Sequence, residues 1–404
     1  MTIYDKLGVT PIINADGPLT RYGGALMDKA TLDAMDEASR YSVPLDKLQA
    51  AASAIIAEKT HAEAGIVTGG ACAALTLATA ACICGYDLSR MEKLPDTADM
   101  PNEVIMPWHQ ISGYDHAIRA AGARLIGVGI PHATVAPFVV HPINKWHIEA
   151  MISEKTAAIA YAVRTGSHPP LEEVIAVGKR YGIPVIIDSA PEIPPIENLY
   201  RFIDMGADLV CVSGGKGIRG PQNSGILYGR KDLIASAAVQ MLEAPSESYE
   251  NWSPPETLIP KEKFRGVPTQ GIGRGLKVSK ETIIGLLTAL GNLDQSRFSV
   301  LEKKLNGLLE TIKKRVESVP GVAAYFIEPQ YCLCSYPTLE LKLDEDALGI
   351  CADEVCRRLR KDNIYLRDRY VSEGKIRVFS MNLDEASTKR IEDALMTSLT
   401  SGRR

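Results

Sequence analysis

Between residues 103 and 228, short apolar segments alternate with amphipathic ones, and this alternation constrains the fold more than any other feature. The apolar segments, interpreted as strands, are 103–106, 124–128, 157–163, 185–187, 209–212 and 225–228. Helical periodicity separates them at 114–121, 170–181 and 196–205. Strands joined by helices form parallel sheets that are buried on both faces. The pattern therefore predicts an α/β architecture with a mostly parallel sheet.

The segments outside this region suggest how the rest of the chain is organised. The predicted parts are an N-terminal arm (1–20), a large α/β domain (21–260), a linker with a long connecting helix (261–316) and a small α+β C-terminal domain (317–404). A proline-rich stretch ends the large domain, since proline interrupts regular structure. We expect one helix from Ser279 to Val316, with the Ser279 hydroxyl as its N-terminal cap.

Charge, cysteine content and hydropathy exclude several classes of function. The 45 basic and 49 acidic residues give a net charge of -4, which argues against binding to nucleic acid or to a membrane surface. The N-terminus lacks the pattern of a signal peptide, and the longest apolar stretch is too short to span a bilayer. The eight cysteines and seven histidines show no metal-ligand spacing. We therefore expect a cytoplasmic protein with reduced thiols and no metal.

The first motif with chemical potential is a glycine turn that opens a helix of small residues. Thr68 is followed by Gly69, Gly70, Ala71 and Cys72. Small side chains let backbone N–H groups approach an anion, and a helix N-terminus carries partial positive charge. The turn is a candidate phosphate site, although a tight turn before a buried helix gives the same pattern.

Two further motifs place a carboxylate and an amine at strand ends. Asp188 ends the apolar segment 185–187, at the edge where open parallel sheets bind ligands. Lys216 lies between two glycines after Ser213, so its amine is held close to the backbone and is partly desolvated. Taken singly, Asp188 suits a turn or a helix cap equally well, and Lys216 suits a solvated loop.

The order of the three motifs favours one cofactor. Pyridoxal 5'-phosphate needs a phosphate anchor, a carboxylate beside the pyridinium nitrogen, and a lysine that holds its aldehyde and moves protons. The glycine turn, Asp188 and Lys216 offer these groups in that order. Together they predict an enzyme that uses pyridoxal phosphate.

Longer strings carry a resemblance to a known family. SGGKGIRGPQNSG (213–225), IIDSAPEIPP (186–195) and GIGRGLKVSKETIIGLLTAL (271–290) resemble the fold-type-I pyridoxal phosphate enzymes of the selenocysteine-synthase-like group. This group includes L-seryl-tRNA selenium transferases and D-glucosaminate-6-phosphate ammonia-lyase-like proteins. The resemblance extends over nearly the whole chain. It implies an aspartate-aminotransferase-like large domain, a small C-terminal domain, and at least a homodimer.

The resemblance also implies a role for individual residues. Lys216 is expected to form the Schiff base with the cofactor, and Asp188 to pair with its pyridinium nitrogen. Ala190 and His109 are expected to lie against the cofactor ring, with Gln110 or Trp108 as alternatives to His109. The turn from Gly69 to Cys72, together with Ser213, is expected to hold the phosphate.

Substrate carboxylates and phosphates favour arginine, whose planar fork binds two oxygens at once. Our candidates are Arg367, before the last strand of the C-terminal domain, then Arg274, in the family string, and Arg164, after the apolar segment 157–163. Arg377 lies inside a strand, so we expect it to serve packing or an ion pair.

The expected reaction is α,β-elimination from a small amino acid or amino sugar acid, which releases a 2-oxo acid and ammonia. A racemase, an aldolase or an aminotransferase uses the same residues, because pocket geometry selects the reaction. The chain begins at the arm, whereas selenium transferases carry an N-terminal tRNA-binding domain. This start of the chain and the slight excess of acidic residues favour a small-molecule substrate, and they make a tRNA-dependent transferase the weakest alternative.

Overall fold

The computed structural model describes residues 2–129, 134–136, 139–140, 142–329 and 333–401. They form two compact units: Met27–Gly291, and Met1–Leu26 together with Asn292–Arg404. The first residues of the chain thus belong to the same unit as the C-terminal third. The four-part division inferred from the sequence stays a prediction, because compactness alone does not define a domain.

Strands and helices are numbered in chain order through the described residues. The strands are β1 (Ile13–Ala15), β2 (Ala64–Thr68), β3 (Glu103–Pro107), β4 (Arg124–Val128), β5 (Thr134–Ala136), β6 (Val139–Val140), β7 (Thr156–Ala162), β8 (Val185–Asp188), β9 (Leu209–Ser213), β10 (Gly225–Gly229), β11 (Val322–Phe326), β12 (Thr338–Leu343), β13 (Ile364–Leu366) and β14 (Lys375–Phe379). The helices are α1 (Lys29–Ser39), α2 (Leu45–Thr60), α3 (Ala71–Cys84), α4 (Leu88–Lys93), α5 (His116–Ala120), α6 (Lys145–Glu149), α7 (Leu171–Tyr181), α8 (Arg201–Met205), α9 (Lys231–Met241), α10 (Lys280–Asn292), α11 (Gln295–Val316), α12 (Glu345–Leu348), α13 (Ala352–Lys361) and α14 (Glu385–Thr400).

The larger unit is built on a seven-stranded sheet with the strand order β2-β10-β9-β8-β7-β3-β4. Strand β10 runs antiparallel to both of its neighbours, and the other pairs are parallel. The central strands are buried along almost their whole length, as expected for a sheet covered on both faces. The prediction of an α/β fold with a mostly parallel sheet is confirmed.

The sheet register brings three strand ends together. Asp188, the last residue of β8, is opposite Ala162 on β7 and Cys211 on β9. Because these three strands are parallel, the loops that follow them leave from the same edge. Arg164 and Lys216 lie on the loops after β7 and β9, and Asp188 ends β8 between them, so the topology brings the three predicted residues to one edge of the sheet.

Helix α3 is an almost fully buried helix of small residues. It begins directly after Gly70, and its interior residues, from Ala73 to Ala81, are all buried. A helix that is apolar all round belongs in a core rather than on a surface. Its burial holds the glycine turn in a fixed position at the edge of the sheet.

The smaller unit contains an antiparallel three-stranded sheet in the order β11-β12-β14, and a parallel pair of β1 with β13. The arm therefore contributes a strand to the C-terminal fold. Arg377 lies on β14 and donates to Glu340 on β12 at 2.7 Å. The predicted ion pair of Arg377 is confirmed.

The single helix expected from Ser279 to Val316 is wrong, because two helices occupy this stretch. The Ser279 hydroxyl accepts from the Thr282 backbone N–H at 3.2 Å, so Ser279 caps α10 as predicted. The chain leaves helical geometry at Asp294, whose carboxylate accepts from the Arg297 N–H at 2.9 Å and caps α11. Aspartate competes for backbone N–H groups in this way and starts a new helix.

Membrane-spanning helices and clusters of metal ligands are both absent from the part of the chain that is described. There, no helix combines the length and apolar character needed to cross a bilayer. No group of three or more potential metal ligands occurs in the same ranges. Seven cysteines are free thiols, and Cys332 lies outside the described residues.

Gly217→Ala is predicted to destabilise the loop that carries Lys216. An added Cβ would overlap the backbone carbonyl of Ile193, and backbone cannot rotate aside as a side chain can. Overpacking of this kind costs about 1–3 kcal/mol. Urea unfolding with intrinsic fluorescence measures the loss.

Gly307→Ala is the matched control. Gly307 is exposed on α11, and a Cβ there meets nothing within 4 Å. Alanine in a helix is favoured over glycine by about 1 kcal/mol, so this variant should be at least as stable as the wild type. Equal stability of the two variants would contradict the proposed backbone contact.

Candidate active site

The glycine turn presents the first turn of α3 at the sheet edge. Gly70 has φ +106°, a conformation open to glycine, and its carbonyl accepts from the Thr68 hydroxyl at 3.0 Å. Gly225, the first residue of β10, lies so close to the backbone of Gly70 that a Cβ on Gly225 would overlap it. The first N–H groups of a helix have no acceptor within the helix, so this end can receive an anion.

Asp188 is a half-buried residue at the end of β8. Its Oδ1 accepts from the Ala190 N–H at 3.0 Å. Burial raises its pKa above the usual range, while this hydrogen bond and the positive charges of Lys216 and Arg164 lower it. A buried carboxylate whose charge is only partly compensated is suited to bind a cationic N–H group.

Lys216 lies in a compact loop after β9. The loop is closed by backbone hydrogen bonds from Gly214 N to Ser224 O at 2.9 Å and from Arg219 N to Lys216 O at 3.0 Å. Gly225, where this loop returns to the sheet as β10, pairs with Ser213 on β9 and with Thr68 on β2, so the loop and the glycine turn lie at the same edge of the sheet. The structure thus brings together the three motifs found in the sequence.

Ala190 and Ser213 lie at the ends of the neighbouring strands β8 and β9, and Cys72 lies in the first turn of α3. Ala190 follows Asp188 by two residues and is half-buried, and Ser213 is half-buried at the end of β9. Cys72 is exposed, yet burial of its thiol and the charge of Asp188 raise its pKa. A thiol held in its neutral form here is a polar lining group and not a nucleophile.

His109 lies in a short 3-10 turn after β3, between Trp108 and Gln110. Its Nε2 accepts from the His168 N–H at 3.4 Å, and partial burial lowers its pKa. The side chain of Gln110 is buried and accepts from the Ala162 N–H at 2.9 Å, and Trp108 packs against Gly127. Of the three side chains, His109 is therefore exposed and bonded to the backbone of the loop after β7, whereas Gln110 is buried against β7 itself.

Arg164 and Arg274 belong to the larger unit but have different surroundings. Arg164 is exposed in the loop after β7, and its charge lowers the pKa of Asp188. Arg274 forms an ion pair with Glu243 at 3.6 Å and lines a cavity of about 530 Å³. The backbone carbonyl of Leu276, two residues further on, lies at contact distance from the glycine turn at Gly69.

Arg367 belongs to the smaller unit, where it is held on two sides. Its Nε donates to Asp16 at 2.9 Å, and its guanidinium lies over the Phe379 ring at 4.8 Å from the centroid. Both charged side chains of this pair are almost fully buried. Among the described residues, no hydrogen-bond acceptor is found for its two terminal nitrogens, the fork with which an arginine binds a carboxylate at two points.

The comparisons with known proteins agree on the family. The model of the aminotransferase class-V family matches residues 140–348, which is half of the chain. The chain belongs to the aminotransferase class-V family. A second model, of the DegT/DnrJ/EryC1/StrS aminotransferase family, matches residues 43–194.

Relatives of this class-V chain match it over nearly its full length. A 5'-C-glycyluridine monooxygenase-decarboxylase from a Streptomyces species is 29% identical over 97% of this chain and 92% of its own. The D-glucosaminate-6-phosphate ammonia lyase of Salmonella typhimurium is 28% identical over 94% of this chain and 92% of its own. A solved structure of a D-glucosaminate-6-phosphate ammonia-lyase superimposes with a TM-score of 0.76 at 24% identity, covering 98% of this chain and 99% of that one.

These matches confirm the predicted family resemblance, the fold type and the cofactor. The protein is a pyridoxal phosphate enzyme. Its own residues fit the cofactor: the glycine turn forms a cradle that side chains would fill, and Asp188 and Lys216 follow one another on neighbouring strand ends at the same edge of the sheet. When bound, the cofactor supplies an electron sink for charge that develops on the substrate.

Glu192 is the residue that sequence reasoning missed. It is half-buried on the turn after β8, and Asp188 and Lys216 both influence its pKa. Burial raises that pKa to about 7, with the charge of Asp188 acting in the same direction. Its place in the sequence, four residues after Asp188, is the signal that could have identified it.

Lys216→Ala is predicted to abolish the visible absorbance band of lysine-linked pyridoxal phosphate, because no other amine takes its place. Absorbance spectra of purified protein with added cofactor test this. Lys231→Ala, at the exposed start of α9, should keep the band. A wild-type protein that never shows the band would contradict the placement of the cofactor.

Asp188→Asn is predicted to raise the thermal stability of the cofactor-free protein and to weaken the binding of the cofactor. Folding raises the pKa of Asp188, so ionisation of its carboxylate costs stability as the pH rises from the ordinary aspartate range to the raised value, and the cost is constant above that interval. The cofactor-free variant should therefore resist heat better than the wild type at pH values above this interval, and the difference should disappear as the pH falls through it. Loss of a charged hydrogen bond should weaken cofactor binding by about 10- to 100-fold. Equal affinity by spectroscopic titration would exclude Asp188 as the pyridinium partner.

Proposed function

We propose that the protein is an α,β-eliminating ammonia-lyase that converts a small 2-amino-3-hydroxy acid into a 2-oxo acid and ammonia. The observation that supports this most directly is the space shared by the Lys216 amine and the Asp188 carboxylate. The likeness to an ammonia lyase over nearly the whole chain adds to it. An amino acid or an amino sugar acid satisfies this description.

In this proposal each step belongs to a residue of the site. Lys216 accepts the proton from the substrate Cα, and the bonding electrons form a double bond to Cβ as the Cβ–O bond breaks. The departing oxygen leaves as water. The enamine that results takes up one water and releases ammonia and the 2-oxo acid, so the net loss from the substrate is ammonia.

The proposed assignments follow from these positions. Gly69, Gly70, Ala71 and Cys72, with Ser213, hold the cofactor phosphate through backbone N–H groups and a hydroxyl. Asp188 binds the ring nitrogen, and Ala190 and His109 lie on the ring faces. No metal takes part in this scheme.

We further propose Arg367 as the group that binds the substrate carboxylate. Asp16 holds its Nε and leaves its two terminal nitrogens without an acceptor among the described residues, which suits a two-point contact. Arg274 and Arg164 remain second candidates for anionic groups of the substrate. An ion pair with Glu243 already engages Arg274.

Arg367→Lys is predicted to raise KM for the amino acid about 10-fold or more while leaving the cofactor band unchanged, because lysine cannot make the two-point contact. Steady-state kinetics and absorbance measure the two effects. Arg377→Lys is the control: Arg377 pairs with Glu340 within its own sheet, so KM should stay at the wild-type value. An unchanged KM in Arg367→Lys would remove Arg367 from the substrate site.

A second candidate reaction is oxidative decarboxylation. It is favoured by one observation, the 29% identity to a monooxygenase-decarboxylase over 97% of this chain. Racemisation is a third, since it requires only that the proton returns to the opposite face of Cα. A tRNA-dependent selenium transferase is the weakest alternative for a chain with a net charge of -4.

We also propose a homodimer or larger homo-oligomer that acts in the cytoplasm. In the smaller unit, Ile3 and Leu7 near the N-terminus are 71% and 72% exposed. Large apolar side chains left exposed in this way are typical of a surface that another chain covers. Reduced, buried thiols such as Cys211 and Cys356 suit a reducing compartment.

The experiment that tests the reaction uses a panel of amino acids with the cofactor-loaded enzyme. Serine and threonine of both configurations and D-glucosaminate 6-phosphate are incubated separately, and 2-oxo acid, ammonia, carbon dioxide and chirality are measured. Equal amounts of 2-oxo acid and ammonia are expected from at least one substrate. Carbon dioxide with oxygen uptake would establish the decarboxylase instead, and inverted substrate alone would establish a racemase.

A further inference from the structure

We infer that Glu192 is the catalytic acid that protonates the departing β-hydroxyl group. The inference rests on the proposed elimination and assigns a residue to the one proton transfer that the scheme above leaves without a donor. Hydroxide is a poor leaving group, so its departure needs a proton from a positioned acid.

The backbone around Glu192 is fixed, so its side chain emerges from a rigid support. The Glu192 N–H donates to the Ser189 carbonyl at 3.1 Å, and the Asn198 amide donates to the Glu192 carbonyl at 2.7 Å. The carbonyl of the next residue, Ile193, packs onto Gly217 beside Lys216. This anchoring ties the acid to the loop that carries the proposed base.

The charged groups that face Glu192 come from three elements. Arg164 follows β7, Asp188 ends β8 and Lys216 follows β9, and these are the charges that shift its ionisation. The geometry agrees with this grouping, because the turn that carries Glu192 packs through Ile193 onto Gly217, next to Lys216. The half-buried side chain of Glu192 therefore starts from the same edge of the sheet as Asp188 and Lys216.

The carboxyl group of Glu192 is free to act. Among the described residues, no donor bonds to its oxygens, whereas Asp188 already accepts from the Ala190 N–H. Burial raises the pKa of Glu192 to about 7. A carboxyl group that is partly protonated near neutral pH can both give and recover a proton in each cycle.

The proposed step conserves protons and electrons. The Cβ–O bond breaks with its electron pair on oxygen, the Glu192 O–H bond breaks, and the proton joins that oxygen to form water. The Glu192 carboxylate then recovers a proton from solvent. The alternative donor is Lys216, which holds the former Cα proton and could deliver it to the same oxygen.

A Glu192→Gln variant separates these two donors. Glutamine keeps the shape of the side chain but has no acidic proton. In deuterium oxide with the best substrate of the panel, we measure exchange of the Cα proton by NMR and release of 2-oxo acid in parallel. We expect the variant to keep Cα exchange and to lose elimination by about 100- to 10,000-fold. Glu197→Gln, on an exposed carboxylate of the following 3-10 turn, should keep both rates.

The pH dependence gives a second readout. The acid form of Glu192 is depleted above pH about 7, so wild-type elimination should decline there through loss of this donor. The Glu192→Gln variant should lack that part of the profile. Persistence of the same alkaline decline in the variant would contradict the assignment.

A third readout needs no cofactor. Folding raises the pKa of Glu192 from 4.5 to about 7, so the stability that its neutral form contributes is lost as the pH rises between these two values. Thermal unfolding of cofactor-free protein should show Glu192→Gln gaining stability over the wild type across that interval. A constant difference would show that Glu192 does not titrate there and would overturn the inference.

The outcomes distinguish this inference from the proposed function. If the variant keeps the wild-type ratio of elimination to exchange, Lys216 is the donor, and only the role of Glu192 is rejected. Loss of exchange and elimination to the same extent would assign Glu192 a structural role and also reject it. If the wild type exchanges the Cα proton of the panel but never releases a 2-oxo acid, the elimination itself is rejected together with its acid.

Discussion

The site depends on a close approach between two pieces of backbone. The carbonyl of Ile193, on the turn after β8, lies where any side chain on Gly217 would have to stand. This contact holds the turn that begins with Asp188 against the loop that carries Lys216. A second approach, of Gly225 to Gly70, fixes the start of β10 on the glycine turn. Because backbone atoms make both contacts, the spacing of the charged groups does not depend on flexible side chains.

That spacing has an electrostatic cost. Two carboxylates, Asp188 and Glu192, lose solvation beside each other, and burial raises the pKa of both. Lys216 and Arg164 offset part of this cost by attraction. A protein selected only for stability would avoid such a cluster, because buried groups of like charge destabilise the fold. Shifted pKa values in a cleft are instead typical of catalytic sites.

Sequence reasoning located much of the fold and the centre of the site. Strand-length apolar runs predicted the central strands, and strand-end polar residues predicted Asp188 and Lys216. It missed β2, where the glycines and small residues of Ala64–Thr68 weaken the strand pattern. It also joined α10 to α11, since apolar periodicity continues through Asp294 while a local hydrogen bond ends the helix. The hydrophobic periodicity of a sequence shows which face of a helix is buried. It does not reveal a single N-terminal cap that divides one helix into two.

The sequence by itself determined the cofactor chemistry, because that chemistry requires particular residue types in short motifs, and local spacing is visible in a linear chain. Only the tertiary structure decided which polar groups share a space. Glu192 is an ordinary glutamate in the sequence, and Asp16 and Arg367 are separated by almost the full chain length, yet Asp16 holds Arg367 at 2.9 Å. Burial and charge act through distance in space, and the parallel sheet sets those distances by aligning strands far apart in sequence.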